Sequence, residues 1–202
     1  MKKIIASIAF IAIVTNGLNA QNNKLNWIGV NASISSGELI RFGGVLDGGV
    51  SYTGKIGYLF GIGFSRAINN RFDLESGIDY SRNSFNSSYI DGSGQIIKSV
   101  NPEHVDLLTI PLNIRIKLKK HFFITGGLQY DQRFNVTNSP GIDNQTGFGV
   151  DFKIGKDFRI TDKMILYIAP EFILHDLVPF YPEKNQQRLT EFGCRISYKF
   201  GL

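Results

Sequence analysis

Residues His104–Tyr130 read HVDLLTIPLNIRIKLKKHFFITGGLQY, two alternating runs that meet at Lys119-Lys120-His121. In the first run Leu108, Ile110, Leu112, Ile114, Ile116 and Leu118 share one face, and Thr109, Asn113, Arg115 and Lys117 share the other. In the second, Phe122, Ile124, Leu128 and Tyr130 alternate with Thr125, Gln129 and Asp131. A strict period of two means half-buried strands, and the short polar turn between them makes a β-hairpin. Each run is also long enough for a tilted strand to cross a bilayer, which takes about 9–11 residues.

The same unit recurs along the chain. Predicted strands cover Trp27–Ile34, about Thr53–Ser65, Arg71–Arg82, Thr146–Gly155, Met164–Leu174 and Leu189 to the end. With the hairpin these make eight. The connections alternate: short turns at Ala67–Asn70, Lys119–His121 and about Lys156–Asp162, and long loops at Ser35–Ser51, Asn83–Glu103, Asn135–Gln145 and His175–Arg188. Outer-membrane barrels have this asymmetry, with short periplasmic turns and longer extracellular loops. The predicted fold class is therefore all-β, an eight-stranded antiparallel transmembrane β-barrel of up-and-down (meander) order.

The N-terminus agrees with an exported chain. Lys2 and Lys3 precede the apolar run Ile4–Val14, and Leu18-Asn19-Ala20 supplies a small-residue cleavage site, so residues 1–20 read as a signal peptide and 21–202 as the barrel domain. Removing the two lysines lowers the formal charge from +5 to +3, without the clustered basic stripe of a nucleic-acid binder. No later stretch is apolar enough for a membrane helix, so a membrane-integral form has to be a closed barrel. The single cysteine, Cys194, is in phase with Phe192, Ile196 and Tyr198 and reads as a small residue on the apolar face.

Alternation alone does not say which face is inside. A soluble lipocalin-like carrier would turn its apolar face inward around a ligand. An eight-stranded barrel has room inside for little more than its own side chains. Here the large residues lie on the apolar face, and Gly61, Gly63, Gly127 and Gly149 lie on the polar one. That arrangement puts lipid outside. Phe64, Phe72, Phe122, Tyr198 and Phe200 at one end, with Tyr52, Tyr80, Tyr130 and Phe148 at the other, suit two interfacial girdles. Pro111 and Pro170 fall inside predicted strands and each removes a ladder donor, so a bulge is expected at both, leaving the lipid-facing phase of Met164–Leu174 open.

These stretches resemble the small outer-membrane β-barrel family of Bacteroidota-type bacteria, called PorT-like or porin-family proteins. The matching segments are the leader ending LNAQ, TGKIGYLFGIGFSRAINNRFDLESGIDYS, LLTIPLNIRIKL with FFITGGLQY, and the closing ISYKF. The resemblance implies an outer-membrane location, outer-membrane lipid and lipopolysaccharide as surroundings, and assembly by the insertion machinery that reads a C-terminal aromatic strand. The chain ends Phe200-Gly201-Leu202 rather than on an aromatic residue, although Leu202 keeps the phase. PorT itself is tied to protein secretion, so a secretion-associated role accompanies an envelope structural or surface-interaction role among the expectations.

Chemistry is sparse. His104, His121 and His175 are scattered, no ligand spacing exists, and Gly61-Ile62-Gly63 is followed by no helix, so no catalytic, cofactor-binding or metal residue and no cofactor are expected. His175-Asp176 is the one pair that imitates a lipid A-modifying barrel enzyme, and it reads instead as a solvated histidine at a loop base. Asp131–Arg133 and the loop tips offer polar surface to a protein or glycan partner of unspecified identity. The polar phase of the strands gives inward cations Lys55, Arg115, Lys117, Arg133, Lys153, Arg195 and Lys199, against Asp73, Glu75, Asp79, Asp131, Asp151, Glu171 and Glu191. Balanced numbers allow pairing, which a confined interior requires. The expectation is a plugged lumen without solute conduction.

Overall fold

The computed structural model describes residues 26–42, 50–91, 93–98, 102–134, 141–181 and 187–202. The expected signal peptide lies outside the described residues, as do parts of all four long loops. The strands are β1 (Asn26–Arg41), β2 (Ser51–Gly54), β3 (Ile56–Ala67), β4 (Phe72–Ile90), β5 (Ile96–Lys98), β6 (Glu103–Lys117), β7 (Phe122–Arg133), β8 (Gly147–Thr161), β9 (Met164–Pro179) and β10 (Gln187–Gly201).

Eight of them close a ring. The order β4-β3-β1-β10-β9-β8-β7-β6 is completed by β6 pairing β4, and every pairing is antiparallel. Closure joins the chain's two ends over a long ladder, from Trp27↔Gly201 to Arg41↔Gln187. It leaves no open edge in the ring, as a spanning sheet needs. β2 continues β3 along β4, offset at Lys55, whose amide donates to the Ser84 carbonyl at 2.8 Å. Lys55 is therefore exposed at an irregularity and does not face the lumen as its phase had suggested.

Short turns join the strands at one end. The Lys119–His121 turn is a single 3₁₀ turn with φ of 59° at Lys120 and 65° at His121. At Ala67–Phe72 the Asn69 side chain accepts from the amides of Arg71 and Phe72. The strand β8 runs on to Thr161, so the third turn shrinks to Asp162-Lys163. At the other end the strands outrun their predicted limits. β4 continues through Asn83–Ile90 and folds back as β5, so part of the expected loop is a hairpin. Polar residues on both faces there hid the period of two. The hairpin tip is a turn in which Asp91 Oδ1 accepts from Ser93 Oγ (2.6 Å) and from the amides of Ser93 and Gln95 (both 2.9 Å), with Gly94 at φ 82°. The Ser93 hydroxyl and those amides hold the Asp91 carboxyl below its usual range.

Neither proline makes the expected bulge. The β6–β7 register runs unbroken through Pro111↔Gln129 and the β9–β10 register through Cys194↔Pro170. On the opposite side of each proline the ladder skips residues without shifting, between Ser76↔Leu112 and Asp79↔Thr109, and between Lys153↔Glu171 and Lys156↔Ile168. Each proline lacks one donor toward one neighbour, and the rest of the ring holds the register. The β8–β9 register does shift at two other places, next to the turn between Arg159 and Thr161 and higher up, where Phe148 pairs Val178 but Val150 pairs Leu174. The extra residues of β9 at this upper offset include Asp176, at φ 52°. Below this offset the phase of β9 is plain. Leu166, Ile168, Pro170, Phe172 and Leu174 face out, while Tyr167, Ala169, Glu171, Ile173 and His175 are buried inside.

The outward face forms an apolar belt around the ring. Ile34 is 67% exposed, Phe60 57%, Ile62 61%, Leu128 59% and Phe192 59%, a pattern that would be unstable in water. Cys194 is exposed within it, as expected. Phe64, Phe72, Phe122 and Phe200 mark the turn end of the belt, and Lys156 reaches over the rings of Phe122 and Phe158 at 5.4 and 5.5 Å. Tyr130, Phe148 and Phe180 cluster at the loop end. Tyr52 departs from the expected girdle and packs inward.

Candidate functional site: the filled lumen and its two ends

Because side chains alternate across each strand, the polar phase of all eight strands converges on one axis. Near the turns, Lys117 Nζ meets Asp73 at 2.6 Å. One step inward, Arg115 pairs with Glu75 (3.1 Å) and with Asp157, and Lys199 Nζ joins Glu75 at 2.6 Å. The Arg115 guanidinium also lies 3.4 Å above the Phe123 ring, which meets Tyr167 edge-on. Further up, Lys153 pairs with Asp151, which also accepts from Asn113 at 2.9 Å. Arg195 bridges Asp79 (2.8 Å) and Glu171 (2.7 Å), and Ser33 donates to Glu171. Small residues make room for these long ones. A Cβ on Gly61 would run into the Asp79 carboxylate, and one on Gly127 into the Asn113 side-chain oxygen.

Above these layers sits His175. It is 1% exposed, so it is not the solvated loop-base residue its sequence position implied. Nε2 lies 2.8 Å from Glu191 and Nδ1 3.0 Å from Asp131. Both ring nitrogens face carboxylates, and Nδ1 also lies 3.0 Å from Gln129 Nε2, so the ring is engaged from three side chains. Glu191 further accepts from Ser35 (2.6 Å) and Asn83 (2.7 Å), and Asp131 from Thr109 (2.7 Å) and Gln129. No carboxylate in this group is left without a donor.

The loop end is closed by a different chemistry. Phe85, Val105, Leu107 and Leu189 turn inward and pack with Ile142, a residue of the connection between β7 and β8. That connection is pinned across the mouth. Arg133 Nη1 donates to the carbonyls of Ile142 (2.9 Å) and Asp143 (2.8 Å), and Gln145 bonds the Gln187 carbonyl and the Leu189 amide. Tyr52 packs against this lid, and burial pushes its hydroxyl up to about 12. The sequence carried no sign of it. GIDNQTG has neither periodicity nor motif, and Ile142 is a lone apolar residue among polar ones.

Asp131 and Arg133, read both as polar surface for a partner and as inward charges, are buried at 0% and 3% and serve the lumen and the lid. Of the other two histidines, His104 bonds Ser84 at 2.9 Å and His121 is exposed in its turn. Gly61-Ile62-Gly63 lies within β3, as its context indicated. Among the described residues no group of His, Cys, Asp and Glu could hold a metal ion. Of the inward charges expected from phase, all but Lys55 lie in the lumen or its ends, joined by His175 and Asp157.

A void of about 30 Å³ beside Asn113, Lys153 and Arg195 holds about two water molecules. The turn end differs. A vestibule of about 680 Å³ opens below Arg115 and Lys199, between the turns that carry Asn69, Asn70, Lys120 and His121.

No family model and no curated protein matches the chain. Solved structures do. The outer-membrane protein AlkL in lipid bilayers aligns over 91% of this chain and 93% of its own at 12% identity, TM-score 0.51. OprG from Pseudomonas aeruginosa aligns over 89% and 95% at 12% identity, TM-score 0.47, and Neisserial surface protein A over 85% and 95% at 14% identity, TM-score 0.48. The likeness to AlkL is one of fold, the antiparallel barrel already described.

Proposed function

We propose that the chain is an integral outer-membrane barrel with a plugged, charge-balanced lumen, serving an envelope structural or surface-interaction role. The observation that carries this reading is the inside-out partition of the ring. Large apolar side chains project outward from every strand of the belt, and the interior is crossed by interlocked ion pairs such as Arg195 with Asp79 and Glu171 and Arg115 with Glu75. A soluble carrier of apolar ligands needs the opposite partition, so the lipocalin-like alternative loses its pocket. His175 points into the lumen with both nitrogens engaged, away from lipid, which removes the residue on which a lipid A-modifying reading leaned.

On this proposal the belt meets outer-membrane lipid, the loop end meets lipopolysaccharide and the exterior, and the strand β10 is read by the insertion machinery during assembly. Membership in the PorT-like family and a part in secretion belong to the same proposal and rest on the resemblance alone. Two measurements test it together. Folded barrels migrate anomalously in SDS until boiled, so unheated and heated samples should differ in mobility. Reconstituted protein should give no steady ohmic steps in planar bilayers. Steps of porin size overturn the plugged lumen, and recovery of the protein as a soluble periplasmic species overturns the membrane assignment.

A further inference from the structure

The turn-end vestibule contains charge that the lumen does not neutralise. Its roof is formed by Arg115 and Lys199, both engaged by Glu75, and by Lys117, engaged by Asp73. Asp157 completes the coordination of Arg115. Two further cations line the same space, Lys120 from the β6–β7 turn and Arg159 from the end of β8, and neither forms an ion pair among the described residues. Both are exposed. The sequence segment just before β1, Gln21–Leu25, carries Lys24 and no carboxylate, so it does not supply the missing charge.

We propose that this vestibule binds a phosphate-bearing ligand, a dianion whose charge matches Lys120 and Arg159, the two lining cations with no ion pair among the described residues. Three features favour it. The volume, about 680 Å³, falls within the range of ligand sites, roughly 300–1,000 Å³. The cations come from different elements, a turn and a strand end, and line one space, and low-dielectric walls focus such a field on an entering anion. Arg159 adds the planar fork that suits phosphate oxygens, and Lys120 adds a mobile point charge. The binding site adjoins the turn-end layer of the lumen network and does not depend on the loop end or its partners.

Trp27 lines the vestibule and is the only tryptophan in the chain, so its fluorescence reports occupancy directly. The folded full-length mature barrel, in nanodiscs of zwitterionic lipid, is titrated with inorganic pyrophosphate at constant ionic strength, followed by Trp27 emission and by calorimetry. The expected result is saturable binding that chloride at equal ionic strength does not reproduce. Combining Lys120→Asn, a residue that tolerates the positive φ of that turn, with Arg159→Gln should weaken binding at least tenfold, and Arg159→Lys should retain most of it. Unchanged heat-modifiable mobility shows that the variants fold. A parallel set of nanodiscs containing phosphatidic acid separates two sources of phosphate. Emission already shifted without pyrophosphate, and restored in the double variant, assigns the site to a lipid headgroup; a shift only on adding pyrophosphate assigns it to a free solute. Absence of saturable binding by both methods and in both lipids overturns the proposal, as does equal affinity in the double variant.

Discussion

His175 and Glu191, 16 residues apart and on neighbouring strands, meet inside the barrel with Nε2 2.8 Å from Oε1. Asp131, from β7, takes the other ring nitrogen at 3.0 Å. One histidine ring thus ties three strands together beneath the lid. Replacing it with alanine leaves two buried carboxylates facing each other. His175→Ala should destabilise the barrel by about 3–5 kcal/mol, the cost of breaking a buried pair. His175→Gln keeps donor capacity and should cost less. Urea unfolding in detergent or vesicles, followed by Trp27 emission, gives both numbers; a His175→Ala midpoint equal to wild type removes the ion-pair account.

Arg195 bridges Asp79 and Glu171 at 2.8 and 2.7 Å. Contacting charges do not act independently. Arg195→Met and Glu171→Gln should each destabilise the barrel. Together they should lose less than the sum of the two, with a coupling of about 1–3 kcal/mol. An additive double variant would mean that the two side chains do not meet in the folded state.

Ile62 is 61% exposed near the middle of the belt, opposite Val30 and Ile78. In lipid, Ile62→Arg should cost about 2–4 kcal/mol and slow insertion. In water the same change on an exposed residue would be close to neutral. Comparing unfolding free energies in vesicles therefore separates a lipid-facing belt from a solvated one.

The lid depends on Arg133, which holds the carbonyls of Ile142 and Asp143. Proteinase K added from the loop side of vesicles should spare Gly141–Thr146 in the wild type. It should cut there in Arg133→Ala, since exposed, untethered loop backbone is where proteases act. Mass spectrometry of the fragments locates the cuts. Equal cutting in both proteins would show that the segment is not anchored.

How much of this was legible beforehand follows from the range of each interaction. The hairpin of β6 and β7, the in–out assignment of Ile62 or Arg115, and the alternation of short turns with long loops all depend on a period of two, a property of a few adjacent residues. The exposed face of Ile34, Phe60 and Leu128 could be inferred because an eight-stranded interior has no room for them. The phase of β9 was also local, but Pro170 concealed it, since a missing donor does not say whether the ladder will shift or merely skip.

The sequence by itself determined the strands, their order and the side of the wall on which most residues stand, because backbone geometry imposes that alternation without reference to distant residues. Only the tertiary structure decided which lumen charges meet. Arg195 reaches Asp79 across 116 residues because ring closure brings β4 and β10, three places apart in the ring, to face one narrow lumen. Only the fold decided, too, that the extra residues of β9 near Asp176 leave His175 between Asp131 and Glu191, and that Ile142 closes the mouth. These partners are set by distances across a narrow barrel, which no local pattern of residues encodes.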